Sequence, residues 1–168
     1  LYLKRQIKLL KLLMKIFKLK YSQKLPISLN EAWDFLSSPS NLELITPKSM
    51  DFNITDWDMK KAYPGQIIQY TVKPLLGVKI TWVTEITQVK DKEYFIDEQR
   101  FGPYIFWHHK HFISEIDGGV LMEDVIHYKP PLGPVGSILN FLFIDSKLNS
   151  IFKYRELELI KIFGEFKS

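Results

Sequence analysis

Hydrophobic and polar positions alternate with a period of two through most of the middle of this chain. The alternation predicts strands over about 51–57, 66–73, 78–89, 93–101, 104–116 and 119–129. Turn-forming residues separate them: Pro64-Gly65, Leu76-Gly77, Lys90-Asp91, Gly102-Pro103 and Asp117-Gly118-Gly119. Earlier in the chain, Phe17, Leu19 and Tyr21 alternate with Lys18, Lys20 and Ser22, which predicts one more strand. Between the two regions the period lengthens. Ser28-x-x-Glu31 has the spacing of a capping box, and Ala32, Trp33, Phe35 and Leu36 supply one apolar side, so a helix opens at Ser28 and ends by Pro39. A second short helix is expected from Asn41 to Ile45, stopping before Pro47. After the break at Pro130, Pro131, Gly133 and Pro134, a stripe of Phe141, Ile144, Leu148, Ile151, Phe152, Arg155, Leu159 and Ile162 predicts a helix from about Ser137 to Phe163.

This order implies an α+β domain. Sequential strands joined by tight connections make an antiparallel sheet of about seven strands, and the helices cover one of its faces. The last helix, about 40 Å long at 1.5 Å per residue, spans a curved sheet and leaves room beneath it.

Composition alters the picture at the N-terminus. The 168 residues carry a formal net charge of +4, which by itself suggests a polyanion partner. All of it lies in residues 1–13, where Lys4, Arg5, Lys8 and Lys11 stand without an acid. The remainder nets to zero, and lysines outnumber arginines 20 to 3, which argues against nucleic acid as a partner. Residues 1–13 are therefore expected to be a basic extension outside a core domain of 14–168. Apolar positions 3, 7, 10, 14 and 17 against lysines 4, 8, 11, 15 and 18 leave a second reading open, a helix lying on anionic lipid. Lysines interrupt any signal-peptide core, and no apolar run approaches a membrane span, so a cytoplasmic protein is expected. The chain has no cysteine, which excludes disulfides, thiol nucleophiles and thiolate metal sites.

The sequence resembles the START-like (SRPBCC, helix-grip) superfamily. It is similar in particular to a bacterial subgroup of ligand-binding SRPBCC proteins related to polyketide cyclase/dehydrase-like proteins. The resemblance spans about residues 16–165. It is carried by Leu25-Pro26, Trp33-x-Phe35, Ile80-Thr81-Trp82-Val83-Thr84-Glu85-Ile86, Phe95-Ile96-Asp97-Glu98-Gln99, Gly102-Pro103-Tyr104, Trp107-x-His109-x-His111 and Ile151-Phe152-Lys153-Tyr154-Arg155. It implies an internal cavity between the sheet and the last helix, holding a small, largely apolar or amphipathic molecule. It implies no cofactor and no particular reaction.

Strand alternation then indicates which residues face that cavity. Asp-Gly favours a two-residue type I′ hairpin; centred on Asp117 and Gly118, it sets Ile116 against Gly119. The same register sets Ile113 across from Met122, His111 from Asp124, His109 from Ile126 and Trp107 from Tyr128, all on one face. Phe112 is the main apolar residue on the other face. Upstream, Tyr70 joins Ile68 and Val72, Trp82 joins Thr84 and Ile86, and Asp97 joins Phe95 and Gln99. The expected inner wall is aromatic (Tyr70, Trp82, Trp107, Tyr128) around a polar group of Thr84, Asp97, Gln99, His109, His111 and Asp124. Arg155 lies on the apolar stripe of the last helix, within reach of Asp97, Asp124 or an acidic ligand.

Two functions fit. The first is a non-catalytic binding module whose cavity holds a small hydrophobic or amphipathic ligand. The second is a cyclase, dehydratase or isomerase with His111 as base, Asp124 orienting it, and Asp97 or Arg155 polarising the substrate. His109 and His111 on one strand face, with Asp124, also have a spacing that metals use, but no His-Glu-x-x-His is present and no metal is expected. No Gly-x-Ser-x-Gly, P-loop or Gly-x-Gly-x-x-Gly occurs.

Overall fold

The computed structural model describes residues 15–74 and 77–167. The basic extension 1–13, the domain edge at Met14 and Leu76 of the turn Leu76-Gly77 lie outside the described residues. Strand β1 (Phe17–Leu25) is followed by helix α1 (Leu29–Leu36) and two single 3-10 turns, Pro39–Leu42 and Lys48–Met50. Then come β2 (Asn53–Asp56), β3 (Gln66–Val72), β4 (Ile80–Lys90), β5 (Tyr94–Phe101), β6 (Phe106–Ile116) and β7 (Gly119–Lys129). The chain ends in α2 (Gly133–Leu139), a π turn (Asn140–Ile144) and α3 (Asp145–Phe163). The seven strands form one antiparallel sheet in the order β1-β7-β6-β5-β4-β3-β2. This is the α+β helix-grip arrangement expected, with a curved sheet, short helical segments after β1 and a long C-terminal helix. Among the described residues, no helix is long and apolar enough to cross a membrane.

Local chemistry accounts for the elements. The Ser28 side chain accepts the Glu31 backbone N–H at 3.2 Å, which caps α1 as its spacing implies. The β6–β7 hairpin takes the expected register throughout, with Ile116 opposite Gly119 and His111 opposite Asp124. Its turn is not type I′, because only Gly118 (φ 78°) has the left-handed backbone that a type I′ turn needs at both central residues.

The helical segments depart from expectation in three places. Pro39 starts a 3-10 turn instead of only ending α1, since proline suits the first helical position. The expected helix Asn41–Ile45 shrinks to the end of that turn. The last helical run begins four residues early, at Gly133, after Leu132 turns the chain in a left-handed conformation (φ 68°). Within that run, the π turn inserts an extra residue per turn and rotates the stripe. Phe141 is therefore 85% exposed, whereas Ile144, Leu148, Phe152 and Leu159 are buried as the stripe requires. Ile162, near the helix end, is also exposed.

Two apolar clusters flank the domain centre. One joins α1, β4, β5 and the end of α3 through Trp33, Ile86, Phe95 and Leu159. The other joins β1, β3, β4, β7 and the start of α3 through Leu19, Val72, Trp82, Ile126 and Phe152. The cavity lies between them.

Candidate functional site

The inner faces of β3 to β6 make the floor of a cavity of about 200 Å³. Its roof comes from the α3 residues Leu148, Ile151, Phe152 and Arg155, and its side from the segment Phe35–Thr46. Most of the wall is apolar. Tyr70 stacks on Trp82 with ring centroids 5.9 Å apart, and Trp82 meets Trp107 edge to face at 5.3 Å. Tyr104 closes the aromatic group against both tryptophans.

The polar part of the wall is compact. On the sheet, Asp97 of β5 faces His109 of β6, and His111 of β6 faces Asp124 of β7. The two shortest contacts run diagonally to these pairings. Asp97 Oδ2 stands 3.5 Å from His109 Nδ1, directly opposite, but 2.7 Å from His111 Nε2 on the diagonal. Asp124 Oδ1 stands 2.9 Å from His111 Nδ1 and 2.7 Å from His109 Nε2. The two imidazoles lie against one another with centroids 3.7 Å apart and planes tilted by 37°, and Phe95 stacks on His111 at 4.1 Å. Two carboxylates thus clamp two neighbouring imidazoles. Asp97, His109 and His111 line the cavity, while Asp124 sits behind them, buried.

Electrostatics divides the two histidines. For His111, burial pulls the imidazole toward neutrality, but bonds to Asp124 and Asp97 through both ring nitrogens outweigh it and raise its pKa. For His109, burial and the neighbouring His111 charge prevail over the two carboxylates, so its pKa is lowered. Burial pushes both carboxyls up, yet the histidines hold Asp124 and Asp97 below the usual carboxylate range. The bonds and these directions together favour ionised aspartates, a charged His111 with both nitrogens on carboxylates, and a neutral His109 whose Nε2–H is donated to Asp124. Arg155 then balances the group, its Nη1 being 3.8 Å from Asp124 Oδ1.

The structure brings Tyr70, Trp82, Thr84, Asp97, Trp107, His109, His111 and Arg155 to the cavity wall. Gln99 and Tyr128 are not brought there. Gln99 donates from Nε2 to the Tyr104 carbonyl at 2.6 Å and accepts the Tyr104 N–H at 3.2 Å, which pins the Gly102-Pro103 turn. Tyr128 is fully buried under the start of the last helix, where burial pushes its hydroxyl up to about 12. Thr84 is spent locally, with its hydroxyl 3.2 Å from that of Tyr70. Sequence reasoning missed the wall residues Phe35, Met50, Phe52 and Tyr104: Phe35 and Met50 lie in helical segments, and Phe52 and Tyr104 stand just before β2 and β6, where the expected strands do not yet pair. It also missed the Tyr21 hydroxyl donating to Glu156, which ties β1 to α3.

One donor set has a metal-compatible spacing. Ligand atoms of Asp97, His109 and His111 all lie within 4.8 Å of one another, and Asp124 orients both imidazoles from behind as carboxylates do at metal centres. In competition, the Asp97–His111 hydrogen bond already joins two of the three donors, and a guanidinium stands beside them.

No family model matches the sequence, and no curated protein does. Solved structures do match. Protein CV1439 from Chromobacterium violaceum is 10% identical with a TM-score of 0.69, over 89% of this chain and 99% of that one. Protein Ms6760 from Mycobacterium smegmatis is 18% identical with a TM-score of 0.61, over 86% and 92%. The di-domain ARO/CYC protein BexL from the BE-7585A biosynthetic pathway is 12% identical with a TM-score of 0.65, over 99% of this chain and 55% of its own length. At these identities the likeness is one of fold alone, a sheet wrapped around a C-terminal helix, which is consistent with an SRPBCC-like arrangement.

Proposed function

We propose that this protein binds a small amphipathic molecule in the cavity between the sheet and α3. The observation that carries this reading is the division of the wall, with aromatic and aliphatic side chains around one compact polar patch of Asp97, His109, His111 and Arg155. Apolar burial supplies affinity in such a site, and a few fixed polar groups supply orientation. The clamped imidazoles are suited to orientation, because stacking and hydrogen bonds hold them in place without an occupant. The test is native mass spectrometry of the protein purified from its own host. A stoichiometric small molecule that departs on denaturation supports the reading; protein that is consistently empty and takes up no apolar probe overturns it.

A second reading, a cyclase-type enzyme, is favoured by one neighbour in fold, the ARO/CYC protein BexL. In that reading the proton acceptor is His109 in place of His111. Both nitrogens of His111 are bonded to carboxylates, whereas His109 is neutral and its Nδ1 has no partner closer than 3.5 Å. Asp124 then holds the tautomer, and Arg155 polarises a carbonyl. Turnover of a poly-β-ketone substrate that is lost in His109→Gln would favour this reading over simple carriage.

A further inference from the structure

The polar patch is unevenly supplied with donors and acceptors. Arg155 projects from α3 into the cavity wall with its side chain 12% exposed, and its Nε is buried without a hydrogen-bond partner among the described residues. Its carboxylate ion-pair partner among the described residues is Asp124, at 3.8 Å, beyond hydrogen-bonding distance, and the charge of Asp97 acts on it from farther away. Asp124 is committed elsewhere, since the same oxygen is shared between His109 and His111. The guanidinium rests over the Phe152 ring, 4.9 Å from its centroid, which supports the cation without satisfying its N–H groups. A second wall residue is in the same condition: the indole Nε1 of Trp82 is buried and has no acceptor among the described residues.

Unpaired buried donors are costly, and native proteins rarely keep them in one cavity without a use. Charge points the same way. Among the described residues of the wall, Asp97 is the one acid, and Arg155 and Lys147 stand two turns apart on the α3 face above it.

Resting on the reading of this cavity as a ligand site, we infer that the occupant is an amphipathic anion whose carboxylate or enolate-type oxygen is taken by Arg155 and its apolar body by the aromatic wall. Arg155 is the group suited to this, because a guanidinium can engage two oxygens side by side. Trp82 Nε1 is a donor for a further oxygen on the same occupant.

The test uses the full chain with a neutral reporter, N-phenyl-1-naphthylamine, displaced in parallel by octanoate and by 1-octanol. The two competitors share an apolar body and differ in the charged head. Octanoate is expected to compete about tenfold more strongly, the scale of one charge-assisted hydrogen bond. Arg155→Gln is expected to abolish that preference, weakening competition by octanoate about tenfold more than competition by 1-octanol. Trp82→Phe keeps the ring and removes the N–H, and it provides a second variant should Arg155→Gln fold poorly; it is expected to weaken octanoate more than 1-octanol. Equal competition by the two molecules, or a preference for octanoate that survives both variants, overturns the inference and leaves the cavity reading standing. If the reporter does not bind at all, the cavity reading itself falls.

Discussion

Asp124 stands directly across the β6–β7 ladder from His111, yet its shorter bond goes to His109, 2.7 Å against 2.9 Å. One carboxylate oxygen therefore fixes both imidazoles of the cavity wall. Asp124→Asn keeps the size but replaces an acceptor of two charge-assisted bonds with a neutral amide. Urea denaturation at neutral pH is expected to show a loss of about 3 kcal/mol, the scale for breaking a buried charged network from one side. A loss below roughly 1 kcal/mol would mean that the network contributes little.

The two histidines are expected to titrate on opposite sides of their ordinary value of 6.5. His111, raised by Asp124 and Asp97, contributes stability that is fully present below 6.5 and lost as pH rises through its folded value. His109, lowered by burial, contributes in the opposite sense: its stability is present above 6.5 and is lost as pH falls through its folded value. Imidazole nitrogen NMR shifts at pH 7 check this directly. A charged His111 and a neutral His109 protonated on Nε2 are expected; a charged His109 would refute the assignment.

Val72 is 2% exposed and lines the cavity beside the Tyr70–Trp82 pair. Val72→Phe fills space that an occupant would use. It is expected to weaken N-phenyl-1-naphthylamine binding at least tenfold, with an overpacking cost of about 1–3 kcal/mol. Fluorescence titration beside a urea midpoint separates the two effects, and undiminished binding would place the probe elsewhere.

Gln99 holds the Gly102-Pro103 turn through its two bonds to Tyr104. Gln99→Ala is expected to cost roughly 1–3 kcal/mol in thermal or chemical denaturation. It is expected to leave the choice between octanoate and 1-octanol unaltered, because Gln99 does not reach the cavity wall. A change in that choice would reassign Gln99 to the ligand site.

Gly136 lies in the first turn of the last helical run, where no side chain fits. A Cβ there would stand 1.8 Å from the Pro131 carbonyl oxygen, a backbone atom with little freedom to retreat. Gly136→Ala is expected to lower the melting temperature despite the better helix propensity of alanine. Since the run carries the cavity roof, probe affinity is expected to fall with it.

The sequence by itself determined the strands, the faces they present and the register of the β6–β7 hairpin. A period of two admits only two choices of face, and the run of Trp107, His109, Ile113, Met122, Ile126 and Tyr128 makes one far more apolar than the other. It also placed Arg155 on the buried side of the last helix, since a 3.6-residue period is unambiguous over several turns. Tertiary structure alone decided how the polar group is wired. Asp97, His109, His111 and Asp124 come from three strands, and whether each carboxylate bonds the histidine opposite or the one on the diagonal depends on side-chain rotamers and on Phe95 stacked against His111. It decided that Gln99 and Tyr128, on the right face, are used to hold a turn and a helix. It also decided the outward turn of Phe141, because a π turn breaks the helical period that a sequence pattern assumes. Periodicity records which way a residue points; what it touches there depends on partners that are distant along the chain.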